Sequence, residues 1–406
     1  MIEDDKKKNK GSIVKENFKF TEVISIIFVT LVIGIIIGYA VTVNFKEDNT
    51  SSNNKALKEF IDTYNDVKKN YYKDVDDKDL INGAISGMLG ALDDPYTTYI
   101  GEEDMSDFND RLNGKYSGVG VEITMDQDNN VLIANVFDDS PAAKAGLKKG
   151  DIFKKVGEKD VSKMNSSEIS SLIKSNNKKN ISITVLRDNQ EVTVNIKLST
   201  IELESVTSKI IDYNNKKVGY IDIELFALNT YSQFKEKLSE LEASGINSLI
   251  IDVRSNTGGY LDVVTDMISL FLEKGKVIYQ LDEKGDITKV LDETKESRKY
   301  NIVVLANQYS ASASEILASS LQESYGAKVV GVNTYGKGTV QQTKGLNKTG
   351  GMLKYTVQKW LTPKGNWINE KGVTPDVSVE LDEKYYETQD ESDDNQLKKA
   401  LECAAQ

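Results

Sequence analysis

Three short apolar runs stand out along the second half of the chain. Ser248-Leu249-Ile250-Ile251-Asp252-Val253, Asn301-Ile302-Val303-Val304-Leu305-Ala306 and Ala327-Lys328-Val329-Val330-Gly331-Val332 each read as a strand buried on both faces. Between the second and third, Ser314 to about Tyr325 carries apolar residues at Ile316, Leu317 and Leu321, the spacing of a helix. A strand, a helix and a strand in that order form a right-handed crossover with parallel strands. The loops leaving their carboxyl ends then open on one edge of the sheet. The first run is followed by Arg254-Ser255-Asn256-Thr257-Gly258-Gly259 and a helical pattern from about Leu261 to Leu272, so a third loop arrives at the same edge.

The first half has a different texture. From Val23 to Val43 there are 21 residues without a charge, rich in Ile and Val. At about 1.5 Å per residue they span roughly 30 Å, the thickness of a bilayer's hydrocarbon core. This predicts a transmembrane helix at 23–43, kept as an anchor because Ala40-Val41-Thr42 makes a poor cleavage site for a signal peptide. Six lysines from Lys6 to Lys19 precede it, which holds segment 1–22 in the cytoplasm and sends the rest to the extracytoplasmic side of the cell membrane. Gly34 and Gly38 sit four apart in the span, a spacing that packs helix pairs but also arises incidentally. A polar linker and a helical region make up 44–113, with apolar positions at Leu57, Phe60, Ile61, Tyr64, Leu80, Ile81, Ile85, Met88 and Leu89, closed by Pro95. From Glu380 to Gln406 nine acidic residues face three lysines, and 381–406 is expected to be a solvated acidic tail.

Composition narrows the chemistry. The chain has 406 residues, a net charge of −12, a single cysteine and no histidine. A negative surface disfavours nucleic acid, one cysteine forms no internal disulfide, and a Cys/His zinc site cannot be built. No metal or cofactor is expected. The absence of histidine excludes a Ser-His-Asp triad, so a nucleophilic serine would need a carboxylate or an uncharged lysine as its base.

Both residue types occur at the shared edge. Ser310-Ala311-Ser312-Ala313-Ser314-Glu315 follows the second strand, and Tyr335-Gly336-Lys337-Gly338-Thr339-Val340-Gln341 follows the third. The amides of the Gly258-Gly259 turn are placed to meet a developing oxyanion. Residue physics leaves Ser310, Ser312 and Ser314 equivalent, and a serine-alanine run is also an ordinary helix cap.

These residues resemble the carboxyl-terminal processing (tail-specific) serine peptidases with a PDZ domain and a Ser/Lys catalytic dyad. The resemblance rests on S-A-S-A-S-E, on G-K-G-T-V-Q, on D-x-R-x-N-x-G-G at Asp252 to Gly259, on Gly219-Tyr220-Ile221 with Phe226, and on Gly372-Val373-Thr374-Pro375-Asp376. It implies that Ser312 is the nucleophile, Lys337 the general base and Gln341 the side chain that orients the lysine. The amides of Gly258 and Ala313 would form the oxyanion hole. Ser255 and Thr257 stand where many members have Asn and Pro. The helical region 44–113 resembles the family's dimerising amino-terminal part. Residues from about 114 to 200 resemble a PDZ module, carried by Ser117-Gly118-Val119-Gly120-Val121-Glu122 and by the Ser140-Pro141 to Gly150-Asp151 stretch. Such a module takes a peptide as an added strand, with Gly118, Val119, Gly120 and Val121 around its free carboxylate.

The expected architecture is multidomain α/β: a single transmembrane helix, a helical amino-terminal region, a PDZ module of α+β type at 114–200 and a catalytic β-α core at 201–380. The expected function is a membrane-anchored serine endopeptidase cutting exported proteins near their C-termini, with protein or peptide tails as partners and a possible homodimer. The alternative is a catalytically silent PDZ scaffold on the same fold. A penicillin-binding or β-lactamase chemistry is matched by Ser171-x-x-Lys174, Ser232-x-x-Lys235 and Lys348-Thr349-Gly350. With four of its 51 basic residues arginine, the chain has 47 lysines, so about one serine in nine meets such a pattern by chance.

Overall fold

The computed structural model describes residues 55–126, 129–174, 180–197, 199–348 and 350–406. The chain divides into two compact units, 1–81 and 82–406. In the first, helix α1 (Lys55–Asn70) presents Leu57, Phe60 and Ile61 as an exposed apolar stripe. Helix α2 (Asp77–Gly90) begins there and runs into the second unit.

One expectation is corrected here. The span at 23–43 lies outside the described residues, and among the described residues no helix is long and apolar enough to cross a membrane. The longest, α1, has 16 residues, about 24 Å at roughly 1.5 Å per residue, and it is studded with lysine and acid side chains.

The second unit opens with strand β1 (Thr98–Ile100), helix α3 (Glu102–Leu112) and strand β2 (Lys115–Gly118). The small domain that follows contains β3 (Val121–Met125), β4 (Val131–Val136), helix α4 (Pro141–Ala145), β5 (Ile152–Val156), β6 (Lys159–Asp160), helix α5 (Ser166–Lys174), β7 (Asn180–Arg187) and β8 (Gln190–Lys197). Local signals set α4: the Ser140 side chain accepts from the Ala143 amide at 3.1 Å, Pro141 occupies the first turn, and Gly146 ends it at φ 84°. Val119, Ile133, Phe153, Ile169 and Ile183 form its core. The chain leaves through β9 (Ser199–Glu202), which pairs antiparallel with β2. Two adjacent strands therefore tether the small domain.

The large domain is built on a six-stranded sheet. Strands β10 (Val206–Tyr213) and β11 (Lys216–Ile223) form a hairpin; helix α6 (Thr230–Ala243) leads to β12 (Ser248–Asp252), and helix α7 (Leu261–Ile268) follows. A second sheet contains β13 (Val277–Glu283) and β14 (Asp286–Leu291). The main sheet resumes with β15 (Asn301–Ala306), helix α8 (Ala313–Ser320) and β16 (Lys328–Gly331). Strands β17 (Thr339–Gly345) and β18 (Met352–Leu361) return to the second sheet, and β19 (Val377–Ser378) closes the first. The order in the main sheet is β10-β11-β12-β15-β16-β19, with β11 to β19 parallel. Alternation along the strands feeds two cores: Leu249, Ile251, Ile302 and Val304 meet Phe234, Met267, Phe271 and Leu317 on one face, while Ile250, Val303, Leu305 and Val330 face the other way.

That second face corrects another expectation. The acidic end is not simply solvated: after helix α9 (Glu383–Thr388), helix α10 (Asn395–Ala404) packs Leu397, Ala400, Leu401, Cys403 and Ala404 onto the sheet. Its apolar residues recur at helical spacing while its charges lie outside that stripe. Asp394 caps the helix, accepting from the Leu397 amide at 2.8 Å.

Candidate active site

The carboxyl ends of β12, β15 and β16 meet at one edge of the main sheet, and each releases a loop with chemistry on it. After β15, three serines occur in alternation. Ser310 is fully buried and donates its hydroxyl to the Val253 carbonyl at 2.7 Å. Ser314 is also buried and donates to the Asn256 carbonyl at 2.8 Å. Both therefore serve to pin the loop to the β12 turn. Ser312 stands between them at the start of α8 and lines a cavity of about 570 Å³ together with Lys337. Its backbone, at φ 56° and ψ −113°, lies outside the regions open to L-residues at no cost. Such a conformation costs on the order of 1–3 kcal/mol and persists only where surroundings over-determine it.

Glu315 supplies much of that constraint. Its side chain is fully buried, and its Oε2 accepts from the Ser312 amide at 2.8 Å and the Lys337 amide at 2.9 Å. Its Oε1 accepts from the Thr334 hydroxyl and the Gly336 amide, both at 2.6 Å. Burial pushes this carboxyl upward from the ordinary glutamate range, and the four donors oppose the shift. One carboxylate thus fixes the backbones of both the serine and the lysine. Glu315 was visible only as the last letter of a motif, although Ser followed three residues later by Glu is a capping-box signal.

Around Lys337 the loop after β16 is tightly held. Gly336 takes φ 90°, and a Cβ there would come within 2.8 Å of the Lys371 amide nitrogen. The Lys337 carbonyl accepts from the Trp360 indole at 2.8 Å. Burial lowers the lysine pKa to about 8, the positive charge of Lys354 adds to the fall, and Glu315 and Asp94 oppose it. The ammonium sits 4.7 Å from the centre of the Tyr96 ring. Among the described residues no hydrogen bond joins Lys337 to Ser312.

The third loop carries the glycines. Arg254 chelates Asp252, with NH2 at 2.7 Å, and reaches Asp394 at 2.8 Å, so helix α10 is tied to the base of the turn. Asn256 is wholly buried: its Nδ2 donates to the Ile223 carbonyl and its Oδ1 accepts from the Gly258 amide, each at 2.8 Å. Gly258, at φ 106°, is pressed on the serine loop, where an added Cβ would lie 2.9 Å from both the Ala311 oxygen and the Ser312 Cβ. Gly258 and Ala313 are therefore brought to Ser312, but not as an open pair. The Ala313 amide, at the first turn of α8, donates to no described residue, whereas the Gly258 amide is occupied by Asn256.

Gln341 also departs from expectation. Its Nε2 donates to the hydroxyls of Thr339 at 2.9 Å and Thr356 at 3.2 Å, and it makes no hydrogen bond to Lys337. It lines the same cavity, on the sheet beside the lysine loop. In the small domain, the Val119 carbonyl accepts from Ala142 at 2.8 Å and the Gly120 carbonyl from Phe137 at 3.1 Å. The amides of Val119 and Gly120 donate to no described residue. Val121 enters β3, opposite Val136. Among the described residues no group of three or more His, Cys, Asp or Glu side chains is arranged to hold a metal.

Residues 217–379 match peptidase family S41, 117–198 match the PDZ domain, and 39–104 match the N-terminal domain of the activating protease CtpB. The carboxy-terminal processing protease CtpA of Bacillus subtilis (strain 168) is 34% identical over 320 residues, covering 78% of this chain and 68% of the relative. A probable CtpA-like serine protease of Staphylococcus aureus (strain MSSA476) is 33% identical over 366 residues, covering 87% and 72%. Among solved structures, a photosystem II D1 C-terminal processing protease has a TM-score of 0.49 at 24% identity, covering 81% of this chain and 88% of that one.

Proposed function

This chain belongs to the carboxy-terminal processing proteases of peptidase family S41 and is a serine-type peptidase with a PDZ domain; on that premise we propose that Ser312 is its nucleophile and Lys337 its general base. The observation that carries the reading is the division of labour among the three serines. Ser310 and Ser314 give their hydroxyls to backbone carbonyls, and Ser312 shares a cavity with a lysine whose pKa is lowered to about 8. Neutral Lys337 takes the hydroxyl proton as the Ser312 oxygen attacks the scissile carbonyl. The oxyanion is met by the Ala313 amide and, once Asn256 releases it, by the Gly258 amide. Collapse breaks the C–N bond, and the lysine returns its proton to the departing amine. Water, deprotonated by the same lysine, then hydrolyses the acyl-serine.

The PDZ domain binds the substrate's free C-terminus at Gly118 to Val121 and delivers the preceding segment. The route for coupling is short. Helix α3, whose Phe108 and Leu112 line the cavity, leads through Gly114 into β2, and Asn229 holds that junction by donating to the carbonyls of Gly114 and Leu203 at 3.0 and 3.1 Å. The test is fluorophosphonate labelling and peptide hydrolysis by the wild-type protein and Ser312→Ala. Labelling and turnover confined to the wild type are expected. An unlabelled wild-type protein that still binds C-terminal peptides would establish the scaffold alternative.

A further inference from the structure

A second lysine in the cavity helps lower the Lys337 pKa but is assigned no contact with substrate in the chemistry above. Lys354 lies on β18, opposite Thr343 of β17 on one side and Thr98 of β1 on the other. Two residues along the same strand, Thr356 opposes Gln341, so Lys354 and Gln341 share a face and stand about 7 Å apart along the strand direction. Lys354 lines the cavity with Ser312 and Lys337 and is half-buried, its ammonium 5.7 Å from the centre of the Phe108 ring. Among the described residues no acidic side chain forms an ion pair with it, and burial alone lowers its pKa. The cavity's charged lining is otherwise Lys337, Arg111 and Asp262. A chain of net charge −12 therefore lines this cavity with three cations and one carboxylate.

An ammonium held half out of water without a counter-ion is unfavourable unless something that enters the site supplies one. We propose that Lys354 is a specificity-determining residue that receives a carboxylate of the bound peptide beside the bond to be cut. The inference rests on the reading of this cavity as the peptidase site. Two sources of carboxylate are possible in a tail substrate: an Asp or Glu side chain near the scissile bond, or the terminal carboxylate of a short leaving segment. Both present the same anion to the same ammonium.

The test uses the full chain and a peptide series in which Asp and Asn alternate at each position flanking the cleaved bond, each made with a free-acid and an amidated end. Wild-type kcat/KM is expected to be about tenfold higher for the anionic peptide at one position, and the preference to shrink as salt is raised. A difference that follows the Asp/Asn change assigns the side chain as the source; one that follows amidation and is lost in Lys354→Met assigns the terminus, the part that survives in that variant belonging to the PDZ turn. Lys354→Arg should keep the preference, Lys354→Met should erase it, and Lys354→Glu should turn it toward a Lys-bearing peptide. A lysine that only tuned Lys337 would move the pH profile and leave the charge preference intact, which overturns the proposal. So do equal rates on all peptides by the wild type. Failure of the wild type to cleave any peptide would instead overturn the peptidase reading, and the inference with it.

Discussion

Two glycine turns in this molecule look alike in sequence and are wired in opposite ways. At Gly118 to Val121 the carbonyls of Val119 and Gly120 are tied back to Ala142 and Phe137, and the amides of those two residues are left without a described acceptor. At Asn256 to Gly259 the Gly258 carbonyl accepts from Phe226 at 3.0 Å, but the Gly258 amide is also taken, by Asn256 at 2.8 Å. Glycine is needed at both for backbone reasons, with φ 83° at Gly120 and φ 106° at Gly258. On the proposed reading, the PDZ turn is ready for an anion as it stands. The turn proposed as catalytic has its donor held by Asn256, and among the described residues the Ala313 amide is the open one beside the serine. In the proposed assignment, the tail-reading site is complete before the cutting site is.

The comparison breaks most decisively at the base. Lys337→Arg keeps a charge that cannot be lost, so kcat should fall by about 10²–10⁴ while far-ultraviolet circular dichroism is unchanged. Appreciable turnover in that variant would remove the lysine from the mechanism. Next comes Gly258→Ala, whose Cβ would press on Ala311 and Ser312 and whose amide would be misplaced. A loss of about 10²–10³ in kcat with a smaller change in KM is expected from steady-state kinetics. The corresponding Gly120→Ala acts on a left-handed residue of the PDZ turn, where the strain is about 1–2 kcal/mol. It should raise KM for free-acid tails by about tenfold, and equal effects on kcat from both glycine variants would erase the distinction between the turns.

The smallest effects are in pH. With Lys337 at about 8, kcat/KM should rise roughly tenfold per unit up to pH 8 and then level off. Stability should follow the same group. The unfolded chain holds the proton up to about 10.5 and the folded chain releases it near 8, so stability rises with pH across that window. Below pH 8 the folded state carries the full penalty of burying the charge, on the order of 3 kcal/mol. Thermal melts of wild type and Lys337→Met between pH 7 and pH 10 should converge as pH rises.

The main sheet was legible because its strands announce themselves by apolar runs, and β12, β15 and β16 fall within a residue or two of where those runs place them. The α7 pattern ran on to Leu272 because Leu270, Phe271 and Leu272 are buried, although the helix itself stops at Ile268. Helix α10 was masked by its setting: the count of acids around it outweighed a helical stripe that was there to be read. At the site, motif letters located Ser312, Lys337 and the glycines. What they could not convey was which polar groups were already spoken for. The choice among Ser310, Ser312 and Ser314, the capture of the Gly258 amide and the four bonds to Glu315 depend on carbonyls and amides arriving from distant segments. Lys354 carried no local signal, since its role depends on β17 and β1 flanking it.

Glu315 has a bearing on how the molecule comes into being. Its carboxylate accepts from the Ser312 amide on one side and the Lys337 amide on the other, and those groups belong to loops that leave different strands. A chain in which either loop has not yet docked has neither a strained serine nor a seated lysine. On the proposed mechanism, the catalytic geometry therefore requires both loops to be docked on the one carboxylate.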